Sequence, residues 1–152
     1  MTLPQASVRC VDRTNRAGIA FRHENSATDE KYLVETMGAG GGFLDYDGDL
    51  DLDVTNFGAN VFYRNNGDGT FTDITEHAGV ATGGWSTSDA FGNADGDGLL
   101  DWLVCRYVDY RLDNHKFCGN LAENIPAYCH PDVYNADPSV LYRNQGDETF
   151  SD

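Results

Sequence analysis

Basic residues are scarce in this chain. Lys and Arg number 10 against 25 Asp and Glu, so the 152 residues carry a formal net charge of −15. A surface so short of cations cannot neutralise a phosphate backbone, which excludes nucleic acid as a partner. It argues equally against docking to anionic lipid. Long apolar runs are also missing. None approaches the ~20 residues that a spanning helix needs, which excludes membrane insertion of that kind. Met1 to Cys10 lacks the apolar core of a signal peptide, so either a leader has been removed or the protein is not exported. Proline is low at 4 and tryptophan at 2.

Glycine, by contrast, is abundant at 17, and Phe and Tyr number 8 each. Apolar residues make up 40% of the chain, enough to exclude bulk disorder and to build a core. Glycine-rich turns joined to aromatic strands suit an all-β repeat protein. The acids cluster at 45–53 and 93–101, in alternation with glycine. Carboxylates packed so closely repel one another unless a cation neutralises them.

The sequence repeats itself. Phe71-Thr72-Asp73-Ile74-Thr75-Glu76-His77-Ala78-Gly79-Val80 has an upstream counterpart in Cys10-Val11-Asp12-Arg13-Thr14-Asn15-Arg16-Ala17-Gly18-Ile19, and it begins again at Phe150-Ser151-Asp152. The acidic loop at Phe43-Leu44-Asp45-Tyr46-Asp47-Gly48-Asp49 is matched at Phe91-Gly92-Asn93-Ala94-Asp95-Gly96-Asp97. Phe62-Tyr63-Arg64-Asn65-Asn66-Gly67-Asp68 is matched at Leu141-Tyr142-Arg143-Asn144-Gln145-Gly146-Asp147. The order is the same both times. One unit spans 10–70 and the next 71–149, with 150–152 opening a third. The second unit is 79 residues against 61, and its extra 18 fall in an insert at about 105–140 that holds three of the four cysteines.

Leu50, Leu52 and Val54 alternate with Asp51 and Asp53, and Leu100, Trp102 and Val104 alternate with Asp101 and Leu103. Period two predicts strands with one buried face. Asn66-Gly67 and Asp68-Gly69 predict a hairpin turn before Phe71. Glu76 to Ala78 reads as a short helical turn ended by Gly79. Short strands, tight turns and a period above 40 residues point to the blades of a β-propeller.

Asn93-x-Asp95-Gly96-Asp97-Gly98-x-x-Asp101 is the sharpest motif. Calcium takes six to eight hard oxygen ligands at about 2.3–2.6 Å. Oxygens at the first, third, fifth and ninth positions of a tight loop, with the seventh carbonyl, can wrap one ion. The ligands expected here are Asn93, Asp95, Asp97 and Asp101 through their side chains and Leu99 through its carbonyl. The bland alternative is a solvated acidic turn. In the first loop Asp45, Asp47 and Asp49 fit the pattern, but Leu50 stands where glycine is expected. Counting forward makes Asp53 the last ligand, with Asp51 giving its carbonyl. Counting back from the strand makes Asp51 the last ligand and implies two deleted residues, and strand parity favours Asp51. Magnesium, with its strict octahedral demand, fits poorly.

These motifs resemble the FG-GAP (VCBS) repeats of integrin-α-like propellers. The likeness is nearest to the ASPIC/UnbV and cartilage-acidic-protein group, through Asp45-Tyr46-Asp47-Gly48-Asp49, Tyr63 to Asp73, Phe21-Arg22-His23-Glu24-Asn25, Glu35-Thr36-Met37-Gly38 and Tyr128-Cys129-His130-Pro131. The resemblance covers about 8–152. It implies a seven-bladed propeller with calcium in loops on one face, in secreted or surface proteins. Cys10 stands where the family usually has Phe, the first loop is short, and the array stops after two units. A propeller ring takes about four to eight blades, so the chain is expected to be a fragment or to close by assembly, and its open blade edges invite self-association.

Cys118 and Cys129 flank ten residues of the insert. In an exported protein they read as a disulfide closing a surface loop. His115, Cys118, Cys129 and His130 are an alternative zinc set, although adjacent ligands strain a tetrahedral site. Cys105 reads as a small buried hydrophobe, and Cys10 has no evident partner.

An active site is not expected. The paired acids already belong to loops, Ser86, Ser88 and His77 form no triad signature, and His23 reads as a blade-packing or loop residue. Gly38 to Gly42 lacks the Lys of a phosphate loop. Trp85 and Trp102 read as core or rim aromatics. The expectation is a non-catalytic, calcium-binding, extracellular, surface or periplasmic module that scaffolds or binds a protein or glycan. The alternative is an accessory domain of a larger secreted polysaccharide-active enzyme.

Overall fold

The computed structural model describes residues 9–24, 28–45 and 48–152. The alternating segments form strands β1 (Gly40–Asp45), β2 (Leu50–Thr55), β3 (Val61–Asn65), β4 (Phe71–Asp73), β5 (Ser86–Gly92), β6 (Asp101–Arg106), β7 (Cys118–Asn120), β8 (Ile125–Ala127), β9 (Val140–Asn144) and β10 (Phe150–Ser151). Among the described residues there are short 3-10 turns but no α-helix, and no helix long and apolar enough to cross a membrane. The fold is all-β, as the sequence indicates.

Two antiparallel four-stranded blades carry the fold, ordered β1-β2-β3-β4 and β5-β6-β9-β10. The outer hairpins are built alike. Asn65 Oδ1 accepts the Gly67 N–H at 3.0 Å, and Asn144 Oδ1 accepts that of Gly146 at 2.9 Å. Asp68 Oδ1 accepts the Thr70 hydroxyl at 2.6 Å, and Asp147 Oδ1 that of Thr149 at 2.5 Å. Gly67 and Gly146 take φ of 75° and 78°, which is why glycine ends both turns. Sequence unit and blade are offset by one strand. Phe71–Asp73 opens the second repeat but completes the first blade, and Phe150–Ser151 completes the second. The turn preceding each blade in sequence ties to that last strand: the Phe71 N–H donates to Ala17 O at 2.7 Å, and that of Phe150 to Ala78 O at 2.9 Å.

The blades stack face to face. Leu44 and Phe62 of the first meet Trp102, Val104, Val140, Tyr142 and Phe150 of the second, with Ala78 and Val80 between them. Trp102 stacks on Phe91 at 5.6 Å and lies 5.9 Å from Phe62. The Gly40 to Gly42 run is where β1 presses on its neighbours. A Cβ at Gly40 would sit 2.7 Å from both Thr55 Oγ1 and Thr87 O, so close packing, not phosphate binding, explains these glycines.

In β2 the buried face is not the apolar one. Asp51, Asp53 and Thr55 are buried while Leu50 is exposed. The physical reason is that this face meets the second blade while polar atoms on it are satisfied within the first: Thr55 Oγ1 accepts the Gly40 N–H of β1 at 3.0 Å, and Asp51 Oδ1 that of Asn65 of β3 at 2.8 Å. In β6 the buried face is the apolar one, Trp102 and Val104, with Asp101 also buried at the start of the strand.

The insert leaves after β6 and returns at β9. It carries the β7–β8 hairpin, and a disulfide joins Cys118 to Cys129, whose Cα atoms are 5.2 Å apart. Beneath it lies a second cluster of Leu33, Trp85, Val108, Tyr110, Cys129 and Tyr134. Both Cys10, exposed, and Cys105, half-buried, are free thiols.

Candidate functional site

The second acidic loop bridges β5 and β6, and its oxygens fold it from within. Asn93 Oδ1 accepts the Gly96 N–H at 2.7 Å, Asp95 Oδ1 that of Asp97 at 3.1 Å, and Asp97 Oδ1 that of Leu99 at 2.8 Å. Gly96 and Gly98 reverse the chain between them at φ of 82° and 97°. The remaining oxygens of Asp95 and Asp97 lie 2.7 and 3.6 Å from the Arg143 guanidinium on β9.

Asp101 is different. It is buried at the start of β6, and both its oxygens are taken by backbone: Oδ1 by the Asn144 N–H at 3.0 Å and Oδ2 by that of Ala94 at 2.8 Å. Asn144 returns the bond, its Nδ2 donating to Leu100 O at 3.0 Å. The two N–H donors, led by Asn144 and helped by the nearby Arg143 charge, hold the Asp101 carboxyl below the usual carboxylate range against the cost of its burial. Its contribution to stability is therefore present above the unfolded value of about 4 and is lost as pH falls through the lower folded value. Asp101→Asn would turn an N–H2 onto a backbone N–H. The variant should melt below wild type, and by more than Asp97→Asn at the exposed end of the loop. Thermal unfolding followed by circular dichroism reads the difference, and equal midpoints would show that the latch does not hold the strands.

The first loop repeats the arrangement in a shorter span. Asp45 Oδ1 accepts the Gly48 N–H at 2.7 Å, as Asn93 does for Gly96. Asp51 occupies the place of Asp101: its Oδ1 accepts the Asn65 N–H, and Asn65 Nδ2 donates to Leu50 O at 2.9 Å. Asp49 is exposed, with its carboxylate close to the Gly67 turn. Asp47 lies outside the described residues. Asp53 is not in the loop. It pairs with Gly42 and Phe62 across the sheet and faces the second blade, where Asp89 stands opposite.

Among the described residues, no three Asp, Glu, His or Cys side chains converge as an ion's shell. The donors are nevertheless all hard oxygens of the type calcium takes, and Asn93, Asp95 and Asp97 sit on one tightly folded loop. His115, Cys118, Cys129 and His130 do not make a zinc site, since both sulfurs are in the disulfide. Sequence reasoning missed Arg143, Asn144 and Asn65. The signal was present in the repeated Tyr-Arg-Asn element, whose polar members read as turn residues until β9 and β3 are seen beside the loops.

The FG-GAP-like repeat model matches residues 44–104, less than half of the chain but including both acidic loops and the strands between them. No curated protein matches the chain. The repeated latch, the two blades and this match agree on one description: residues 44–104 are similar to FG-GAP-like repeats and fold as propeller-type blades.

Proposed function

We propose that the chain is a calcium-binding repeat module, extracellular or on the cell surface, that acts as a scaffold or binds a protein or glycan and is not catalytic. The observation that carries the reading is the recurrence of one device. An oxygen-rich loop leaves the first strand of each blade, and an Asp–Asn latch fastens its end to the third. Asn93, Asp95, Asp97 and Asp101 through their side chains, and Leu99 through its carbonyl, would hold the ion in the second loop. Asp45, Asp47, Asp49 and Asp51 would do so in the first. A bound calcium neutralises the carboxylates and stiffens the loop. Arg143, now paired with Asp95 and Asp97, competes for that place, so ion affinity depends on its release. The disulfide in the insert favours an oxidising compartment. A cavity of about 300 Å³ between Phe57, Trp85, Tyr110, Arg111 and Asp137 is of a size to take a small ligand or one sugar ring of a glycan. Among FG-GAP-like proteins, the Phe21 to Asn25 and Tyr128 to Pro131 motifs favour the ASPIC/UnbV and cartilage-acidic-protein group.

Calcium titration tests the reading. At a hundredfold excess over the dissociation constant, one site should stabilise the fold by about 2.7 kcal/mol, with a far smaller response to magnesium. Asn93→Ala and Asp97→Ala should each remove most of the shift. If millimolar calcium and chelator leave the thermal midpoint where it was, the metal role is wrong.

A further inference from the structure

Two carboxylates meet at the blade junction, outside either acidic loop. Asp53 of β2 is wholly buried, and neither of its oxygens makes a hydrogen bond of ordinary geometry. Asp89 of β5 is half-buried and faces it from the second blade, with Oδ2 accepting the Trp102 indole N–H at 3.1 Å. Among the described residues no Lys, Arg or His forms an ion pair with either acid. Burying one carboxylate opposite another is costly unless positive charge lies with them. Between them stands Gly42 of β1, the cross-strand partner of Asp53. A Cβ there would lie 3.0 Å from Asp53 Oδ1 and 3.6 Å from Asp89 Oδ2, so the glycine leaves a gap lined by oxygens from both blades. The repeat does not call for this pair. The match of Asp51 to Asp101 makes Leu103 the counterpart of Asp53, and the match of Phe43 to Phe91 makes Gly41 that of Asp89.

We propose that Asp53 and Asp89 bind one calcium ion between the blades, in the gap over Gly42. The donors are hard oxygens, and two carboxylates match a divalent charge. Asp89, the more exposed of the two, marks the side from which the ion enters and from which water completes its shell. Asp53 is wholly buried, so the ion must shed much of its water to reach it, which magnesium does reluctantly. The bound ion turns a repulsion between the blades into a bridge. Trp102 is bonded to an oxygen of one ligand, which places its indole close to the ion. This inference does not need the loops to bind calcium. In chelator the two carboxyls are left to each other.

Calorimetry and terbium luminescence on the whole chain are the test. Asp49→Ala with Asp97→Ala removes one ligand from each loop, both at exposed positions. This loop-deficient protein should still bind one calcium, and its melting midpoint should rise with the ion. Adding Asp89→Asn should weaken that binding by more than the ~10–100-fold that an outer partner of a metal ligand contributes. The amide oxygen can keep the Trp102 bond, and the circular dichroism spectrum should stay that of the parent. Gly42→Ala keeps both carboxylates but sets a methyl group in the gap, and it should abolish the binding as well. Terbium in place of calcium should luminesce when the indole is excited, and Trp102→Phe should remove that signal while calorimetry still finds the ion. A loop-deficient protein that binds no calcium, binding that survives Asp89→Asn or Gly42→Ala, or a terbium signal indifferent to Trp102→Phe would each overturn the proposal. If the loops themselves never hold calcium, wild type should still take one ion, and Asp89→Asn should remove it.

Discussion

Trp102→Ala is expected to lower the unfolding free energy by about 3–5 kcal/mol, the usual range for deleting a large buried aromatic. Trp102 is fully buried at the junction of the two blades. Its ring stacks on Phe91 at an interplanar angle of 8°, and it meets Tyr142 at 5.6 Å and Phe62 of the other blade at 5.9 Å. The indole Nε1–H also donates to Asp89 Oδ2 at 3.1 Å, so the truncation leaves a half-buried carboxylate without that donor as well as a cavity. Glycines in β1 bring the blades too close for neighbouring side chains to move in and fill the space. Urea unfolding measures the loss directly. A cost below about 1 kcal/mol would mean that the blades are held together by something other than this core.

Much of this was legible in the sequence because the devices are local. A hairpin such as Asn65 to Phe71 closes on hydrogen bonds between residues two to six apart, so its composition alone specifies it. The loop turns at Asn93, Asp95 and Asp97 close in the same way, within three residues. The disulfide was visible as Cys118 and Cys129 flanking ten residues of the insert, with Cys105 set apart at its start. What the sequence hid was long-range. Period two in β2 says that one face is inside, but not which. The answer comes from β5, some 35 residues on, which covers the acidic face. Which of Asp51 and Asp53 lies beside the loop is likewise set by β3, whose Asn65 N–H reaches Asp51, while Asp53 faces the neighbouring blade. Arg143 could not be assigned to the loop until β9 was placed beside β6.

Asp53 leads to the last expected result, a stability that falls as pH rises. Its side chain is wholly buried at the blade junction, and a Cβ at Gly42 would lie 3.0 Å from Asp53 Oδ1 and 3.6 Å from Asp89 Oδ2. Burial first, and then the Asp89 carboxyl opposite, push Asp53 up to about 8. The folded state therefore holds a proton that the unfolded chain releases near pH 4. Each pH unit between those values over which only the folded state is protonated costs at most ~1.4 kcal/mol, so the penalty accumulates with rising pH and levels off above about 8. Asp89→Asn should relieve it. The amide oxygen can still accept the Trp102 indole N–H, while the amide nitrogen can donate to an ionised Asp53, replacing a like charge with a partner. At pH 9 the variant should exceed wild type by about 2 kcal/mol, and at pH 5 the two should nearly agree. The quantity to follow is the difference between the two proteins across a series of urea unfolding curves. Parallel profiles would mean that the Asp89 carboxyl does not raise Asp53, and that the acidic face of β2 is held by its backbone bonds alone.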